Sequence, residues 1–180
     1  MSRLKLYIPV IVFIALAAML WRGLSLDPRT LPSVLIDKPL PEFSLPTVEH
    51  AEQLVGKMDL PDEPFLLNVW GSYCLPCLQE NPIFMAAAQE NLFPIVGVNY
   101  KDKPNLAQLW LDDNGSPFEF SIMDENGRLG IDLGVYGAPE TFVIDGKGVI
   151  RYKHIGVIDY KVWQEKIMPA MAAVKAEAAQ

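Results

Sequence analysis

The sequence is short of the residues that build metal and disulfide scaffolds: it has two cysteines and two histidines in 180 residues. A structural zinc site would need His50 and His154 as further ligands, and these lie far apart in the chain. No C-x-x-C-H motif occurs, because Leu78 follows Cys77, which excludes a c-type haem attached to this chain. No internal repeat is present, and no low-complexity segment apart from the alanine-rich C-terminus. Charge is missing from Leu6 to Trp21. Positive charge is scarce beyond residue 30: Arg3, Lys5, Arg22 and Arg29 against Asp27 put residues 1–30 at +3, so with a total of −7 the remainder carries −10. An acidic domain of this kind is a poor nucleic-acid binder.

What is there centres on the two cysteines. Cys74 and Cys77 form a C-x-x-C inside Asn68-Val69-Trp70-Gly71-Ser72-Tyr73-Cys74-Leu75-Pro76-Cys77. The apolar run Phe65–Trp70 reads as a buried strand, and Leu78–Asn91 as a helix with Pro82 inside it. Cys74 then falls at a helix N-terminus, where unpaired N–H groups and the macrodipole favour a thiolate. Cys77 follows on the same face, placed to resolve a mixed disulfide formed by Cys74. Pro76 lacks an N–H, which costs little in a first turn. Three plainer readings compete: a structural disulfide, which would close a very small loop and gain little; a zinc pair; and two unrelated core cysteines. The strand–C-x-x-C–helix context favours a redox dithiol.

The first 25 residues read as a cytoplasmic N-terminus and a transmembrane anchor. Leu6–Trp21 is sixteen residues long, at the short edge of the ~17–25 that a span needs. Tyr7 and Trp21 suit its two interfaces, and Arg3 and Lys5 before it point to a cytoplasmic start. A cleaved signal peptide is the alternative, but Ala15-Leu16-Ala17 lies within the apolar run rather than after it. Residues 26–41, with Pro28, Pro32, Pro39 and Pro41, read as a linker. Residues 42–180 are long enough for one domain with a core.

Within that domain Glu42–Pro46 suggests a short edge strand, His50 a solvated loop residue, and Gly56–Pro64 a polar turn. Ile95–Tyr100 reads as a second buried strand. Pro104–Asp113 reads as a helix with Leu106, Leu109 and Trp110 on its core face. Phe118–Met123 alternates as a strand, and Leu129–Val135 is apolar. Phe142–Asp145 and Val149–Ile155, joined through Gly146-Lys147-Gly148, predict a hairpin. Asp159 caps a last helix running to about Ala179. Strands alternating with helices before a terminal hairpin imply an α/β fold whose central mixed sheet is covered on both faces.

With these residues in place the sequence resembles the thioredoxin fold: Pro76 stands before the second cysteine, Pro82 eight residues after the first, and Pro139 just before a strand. A closer resemblance is carried by Asn68-Val69-Trp70-Gly71, by Gly97-Val98-Asn99-Tyr100-Lys101-Asp102, by Leu133-Gly134-Val135-Tyr136-Gly137-Ala138-Pro139-Glu140-Thr141-Phe142, and by Arg151-Tyr152-Lys153-His154. These look like the CcmG/DsbE family, the membrane-anchored thiol:disulfide interchange proteins of cytochrome c maturation. The resemblance implies a protein-disulfide reductase in the periplasm, held by a single span in the inner membrane and needing no cofactor. Its partners would be apocytochrome c or the thiol proteins of cytochrome c maturation, with electrons from a membrane donor of the DsbD/CcdA type. It also implies a redox-active disulfide between Cys74 and Cys77. The loop at a cis Pro139 would face it, with Ala138 pairing to the client backbone. Trp70, Tyr73 and Pro76 flank the cysteines as candidate tuning or client-contacting residues.

The sequence departs from the pattern at two positions. Asn68 stands where thioredoxins place a buried aspartate, so proton handling falls to other groups, with Glu80 and Glu140 as candidates. The plain alternative for each is an exposed, solvated carboxylate. Tyr73 stands where the family more often has tryptophan. Two other functions remain in play: a membrane-anchored thiol oxidoreductase of broader scope, such as a disulfide isomerase, or a thioredoxin-fold chaperone for apocytochrome segments. The sequence offers no peroxide-binding arrangement that would favour a peroxidase.

Overall fold

The computed structural model describes residues 4–24 and 34–178. The chain divides into two compact units, Met1–Pro32 and Ser33–Gln180. In the first, helix α1 (Leu4–Leu24) contains Pro9 and carries Arg22 in its last turn. Its described side chains are exposed, among them Phe13, Met19 and Trp21. Among the described residues no helix is long and apolar enough to cross a membrane, so the anchor expected over Leu6–Trp21 rests on the sequence. Of the expected linker, residues 26–33 lie outside the described residues.

The second unit is built on a five-stranded sheet. Strand β3 (Phe65–Trp70) is at its centre, preceded in the chain by a two-stranded ribbon, β1 (Ser44–Pro46) and β2 (Leu54–Gly56). β4 (Ile95–Tyr100) pairs parallel to β3, and β5 (Ser121–Asp124) parallel to β4. On the other side β6 (Glu140–Ile144) and β7 (Ile150–Ile155) complete the order β5-β4-β3-β6-β7, both pairings antiparallel. The sheet is therefore mixed, as expected. Every residue of β3 and β4 is buried, which is why both read as mostly apolar runs, each interrupted by one asparagine, rather than as alternating strands.

Helices cover both faces. Phe65, Leu67 and Val69 of β3 and Phe142 and Ile144 of β6 point to one face, where Leu129 and Leu133 around α4 (Arg128–Asp132) close the core. Leu66 and Val143 point to the other, against Phe84 and Ala87 of α2 (Leu75–Gln89). There they also meet Trp163, Ile167, Met171 and Val174 of the C-terminal helix. That helix starts as α5 (Tyr160–Val162), passes through a π-helical turn at Trp163–Ile167 and continues as α6 (Met168–Ala178). Asp159 caps it, accepting the Val162 N–H at 2.7 Å.

Three expectations are corrected. Helix α3 (Pro104–Asn114) buries Ala107 and Leu111, while Leu106 and Leu109 are exposed. The core face is rotated by about one residue from the predicted stripe, because Trp110 lies 4.9 Å from the Trp70 ring and the small Ala107 lets the helix come close. The region Gly56–Pro64 holds the end of β2 and a single 3₁₀ turn, Lys57–Asp59, besides turns. The strand expected over Phe118–Met123 is shorter and shifted: the register with β4 runs over Ser121–Asp124, with Glu119 and Phe120 adding one main-chain hydrogen bond each to β4 ahead of it.

The two ends of β3 face different surroundings. At its start, Phe65 pairs with Ile144, and Ile144 with Ile150. Here the entering chain is stitched to β7: Asp37 N–H donates to the Ile150 carbonyl at 2.8 Å, and Leu40 N–H to the Gly148 carbonyl at 2.8 Å. At its other end β3 runs out through Trp70 into the cysteine turn. Because β6 is antiparallel, its first residue Glu140 lies beside Val69 at that same end. Topology alone thus brings the two cysteines and the Ala138–Pro139 segment together, at the sheet end away from where the chain enters.

Candidate active site

Cys74 is the N-cap of α2, in an extended backbone conformation, and its Sγ accepts the Cys77 N–H at 3.2 Å. Pro76 occupies the first turn, where a missing N–H leaves nothing unpaired. The two cysteines are joined in a disulfide with an S–S distance of 2.08 Å. Both are buried against Trp70, Ala107, Leu111, Met123 and Ala138. When the disulfide is reduced, the N-terminal N–H groups of α2 aim at Cys74, and a charged acceptor bonds them more strongly than a neutral one. The geometry lowers the cost of a thiolate at Cys74, with the second sulfur one turn behind it.

The turn that delivers Cys74 is held by a residue to which the sequence reading gave no role, although it closes the Gly97–Asp102 stretch of the family resemblance. Asp102 is buried and accepts four hydrogen bonds: Ser72 N–H at 2.6 Å, Ser72 Oγ–H at 2.9 Å, Asn99 Nδ2–H at 3.1 Å and Lys103 N–H at 2.8 Å. A carboxylate one residue before the N-cap Lys103 of α3 is the only local signal, and it reads as ordinary helix-end charge. Tyr73 is 60% exposed but tied at its tip, where the hydroxyl donates to the Tyr100 carbonyl at 2.9 Å. Burial of that hydroxyl, then the Asp102 carboxylate and Tyr100, push it above the ordinary tyrosine range, so it stays a donor. Gly71 is required beneath it, since a Cβ there would overlap the Tyr73 ring. Trp70 is fully buried, and its Nε1–H donates to Ser121 Oγ at 2.8 Å. It therefore shapes the floor of the site rather than its rim.

Across from the cysteines the Ala138–Pro139 peptide is cis. The loop around it is internally bonded: Tyr136 N–H and Gly137 N–H both reach Glu140 Oε1, at 2.8 and 3.4 Å. The Pro139 carbonyl accepts the Gly156 N–H at 2.9 Å. Among the described residues no hydrogen bond engages the main chain of Ala138. One residue of the loop, next to the disulfide, thus keeps its N–H and carbonyl for a partner.

The two carboxylates differ sharply. Glu80, three residues after Cys77 on α2, is buried at 1% exposure. It accepts Asn68 Nδ2–H at 2.9 Å on one oxygen and the Ile158 N–H at 2.9 Å on the other. Burial raises its pKa from 4.5 to about 7, against the opposing pull of the Ile158 and Asn68 hydrogen bonds. Asn68 also donates to Thr141 Oγ1 at 3.1 Å. The amide that replaces the thioredoxin aspartate thus serves to hold Glu80 in the interior. Glu140 is also fully buried, but it is an ion-pair member: Lys153 Nζ lies 2.8 Å from its Oε2. Its carboxylate faces the interior of the loop, so it bears on a client only through the loop it supports.

A dithiol that can open and close at a helix N-terminus, with an unpaired strand segment beside it, moves electron pairs by making and breaking sulfur–sulfur bonds. The class is a thioredoxin-fold thiol:disulfide oxidoreductase. The redoxin family profile matches residues 36–168. The chain is 45% identical to the thiol:disulfide interchange protein DsbE of Pseudomonas fluorescens biotype C, over 99% of both chains. It is 42% identical to the DsbE of Escherichia coli (strain K12), over 100% of both. Among solved structures, a DsbF homologue from Corynebacterium diphtheriae superposes with a TM-score of 0.65 at 22% identity, covering 82% of this chain and 96% of that one, a match in fold alone. The chain belongs to the DsbE family of thiol:disulfide interchange proteins.

Proposed function

We propose that the protein reduces disulfides in the haem-attachment segments of apocytochrome c, or in the thiol carriers that serve them, during cytochrome c maturation. The observation that carries this reading is the unpaired main chain of Ala138 beside the Cys74–Cys77 disulfide. An extended client can add there as a strand, gaining main-chain hydrogen bonds with little demand on its sequence. An unfolded apocytochrome offers such a segment, and a folded protein with its disulfides inside does not. Cys74 is the attacking thiol and Cys77 the resolving one. Glu80 handles the proton, since a carboxyl titrating near 7 three residues from Cys77 is matched to general acid–base work at neutral pH. Tyr73 and Pro76 border the entrance. The test uses the reduced protein and a synthetic peptide carrying an oxidised C-x-x-C-H segment. That peptide should be reduced at least ~10-fold faster than a small cyclic disulfide with no flanking chain, the worth of one or two main-chain hydrogen bonds. Equal rates would move the reading to an oxidoreductase of broader scope.

The same proposal places the domain in the periplasm, tethered to the inner membrane by the N-terminal segment and recharged by a membrane dithiol donor of the DsbD/CcdA type. It is supported by the uncharged stretch Leu6–Trp21 with Arg3 and Lys5 before it. The protein is expected to stay in the membrane fraction after alkaline extraction, with an N-terminus at or near Met1. A mature N-terminus beyond residue 17, in a soluble fraction, would replace the anchor by a cleaved signal.

A further inference from the structure

Among the described residues, Lys153 is the cation behind the Ala138–Pro139 loop whose ammonium reaches both ends of the loop. It lies on β7 opposite Phe142, with its side chain 5% exposed. Its ammonium donates to the Gly134 carbonyl, at the start of the loop, at 2.7 Å, and lies 2.8 Å from Glu140 Oε2, at the loop's end. It is also 5.0 Å from the centre of the Tyr136 ring and 5.2 Å from that of Phe142. Glu140 Oε2 has no hydrogen-bond donor aligned on it, so its contact with Lys153 is an ion pair rather than a directed hydrogen bond. Oε1 meanwhile takes the Tyr136 and Gly137 N–H groups. Apart from the Gly134 and Val135 N–H groups, which bond the Ile131 and Gly130 carbonyls, the Pro139 carbonyl, and the strand pairing of Glu140, the polar contacts of residues 134–140 run through Lys153 or its counter-ion.

A buried ion pair is a weak stabiliser, because desolvation of both charges offsets their attraction. Stability alone does not account for a cation in this position; geometry does. Gly134 adopts a φ of 64°, and past the buried Val135 the chain enters residues 136–138, a segment with little apolar side chain to pack, since Tyr136 is 78% exposed and Ala138 half-buried. Without an internal anchor such a loop samples many positions, and a client strand must select one of them at a cost in affinity.

We propose that Lys153 is a positioning residue for thiol–disulfide exchange with extended clients. By clamping Gly134 and Glu140 to one nitrogen it fixes Ala138 at the distance and register that a client strand needs. By holding one face of the Tyr136 ring it turns the other face outward along the client's path. Lys153 touches neither sulfur nor client. It acts on how well a peptide is seated and leaves the chemistry of Cys74 unchanged. The inference rests on client pairing at Ala138 and not on which protein the client is, so it can fail or hold independently of the cytochrome reading.

The test follows single-turnover oxidation of the reduced full-length protein by two probes: a synthetic extended peptide with one C-x-x-C disulfide and no following histidine, and 2-hydroxyethyl disulfide, which has no main chain to pair. The variant Lys153→Met/Glu140→Gln removes both charges and leaves no lone ion behind. Its half-saturating peptide concentration is expected to rise about tenfold, the worth of one to two main-chain hydrogen bonds, with the limiting rate and the rate with 2-hydroxyethyl disulfide within twofold of wild type. Lys153→Arg, which restores a cation able to reach both partners, is expected to recover most of the loss. A half-saturating concentration unchanged in the double variant, or an equal loss with both probes, would overturn the proposal. Should the double variant not fold, Glu140→Gln alone reads the same quantity. It keeps an acceptor for the loop N–H groups but unpairs the ammonium, and its half-saturating concentration should rise about threefold if Lys153 works through the pair and stay at the wild-type value if it does not.

Discussion

A Cys77→Ser variant is expected to accumulate mixed disulfides with its clients, all through Cys74, while Cys74→Ser forms none and loses exchange activity on the order of 10³-fold or more, as for removal of a catalytic nucleophile. In the forward reaction the Cys74 thiolate attacks a client disulfide, forming one sulfur–sulfur bond and releasing one client thiolate. Cys77, deprotonated, then attacks the Cys74 sulfur, frees the second client thiol and closes the disulfide seen in the structure. Two electrons pass to the client, and the protein leaves oxidised. The assignment of roles follows from position. Cys74 is the N-cap, its sulfur accepting the Cys77 N–H, so the helix terminus stabilises charge there. Cys77 lies inside the first turn, 3% exposed, where it is not the helix cap. Trapping is read by mass spectrometry of non-reducing gel bands. Covalent adducts through Cys77 in the Cys74→Ser variant, at the yield of the converse experiment, would reverse the roles.

How much of this could be read without coordinates depends on which physical signal each element leaves. β3 and β4 were legible to the residue, because strands buried on both faces are predominantly apolar, here with one asparagine each, and are bounded by polar turns. The β6–β7 hairpin was legible from its turn, where Asp145 accepts the Lys147 and Val149 N–H groups, each at 2.9 Å. The β1–β2 ribbon was half missed: three-residue strands show no period, and Leu54 is 64% exposed. The core face of α3 was misread because the position of closest approach is occupied by Ala107, which contributes little to an apolar stripe. Within the site, the cysteines and the cis-proline loop carry motifs. Asp102 and Lys153 also lie in stretches that carry the family resemblance, but those stretches reveal no role for them, since their roles come from hydrogen bonds and an ion pair between distant segments of the chain. Glu80 was named but could as well have been a surface residue. Its neighbours Leu78 and Gln79 are exposed, and only the packing of Asn68 and Ile158 over it reveals a buried carboxyl.

That buried carboxyl should dominate the pH dependence of both stability and exchange. Glu80 titrates near 4.5 when unfolded and at about 7 when folded. Between those values the folded protein holds a proton that the unfolded chain has already released, so stability falls as pH rises through the window and levels off above it. A shift from 4.5 to about 7 corresponds to about 3 kcal/mol of stability lost between pH ~4.5 and ~7.5. Glu80→Gln cannot ionise and should lack this slope. Its amide must place an N–H against either the Asn68 donor or the Ile158 N–H, a fixed cost of about 1–3 kcal/mol. The diagnostic is therefore the difference in slope between variant and wild type, not the level at any one pH. Urea unfolding of the disulfide form from pH 4.5 to 8.5 measures it; parallel curves for the two proteins would show that Glu80 does not titrate in this range. The same proton enters the chemistry. Cys77 must lose its proton to resolve the mixed disulfide, and a carboxylate in the next turn of the same helix, half-ionised near neutrality, is a base of suitable strength. The resolving step should rise with pH through an inflection near 7 in the wild type. In Glu80→Gln it should lose that inflection and slow by ~10²-fold at pH 7.5, the lower end of what a positioned base contributes. Single-turnover release of the client thiol across pH 5 to 9 reads this directly. An unchanged profile beside a changed stability slope would make Glu80 a buried structural carboxyl with no part in exchange.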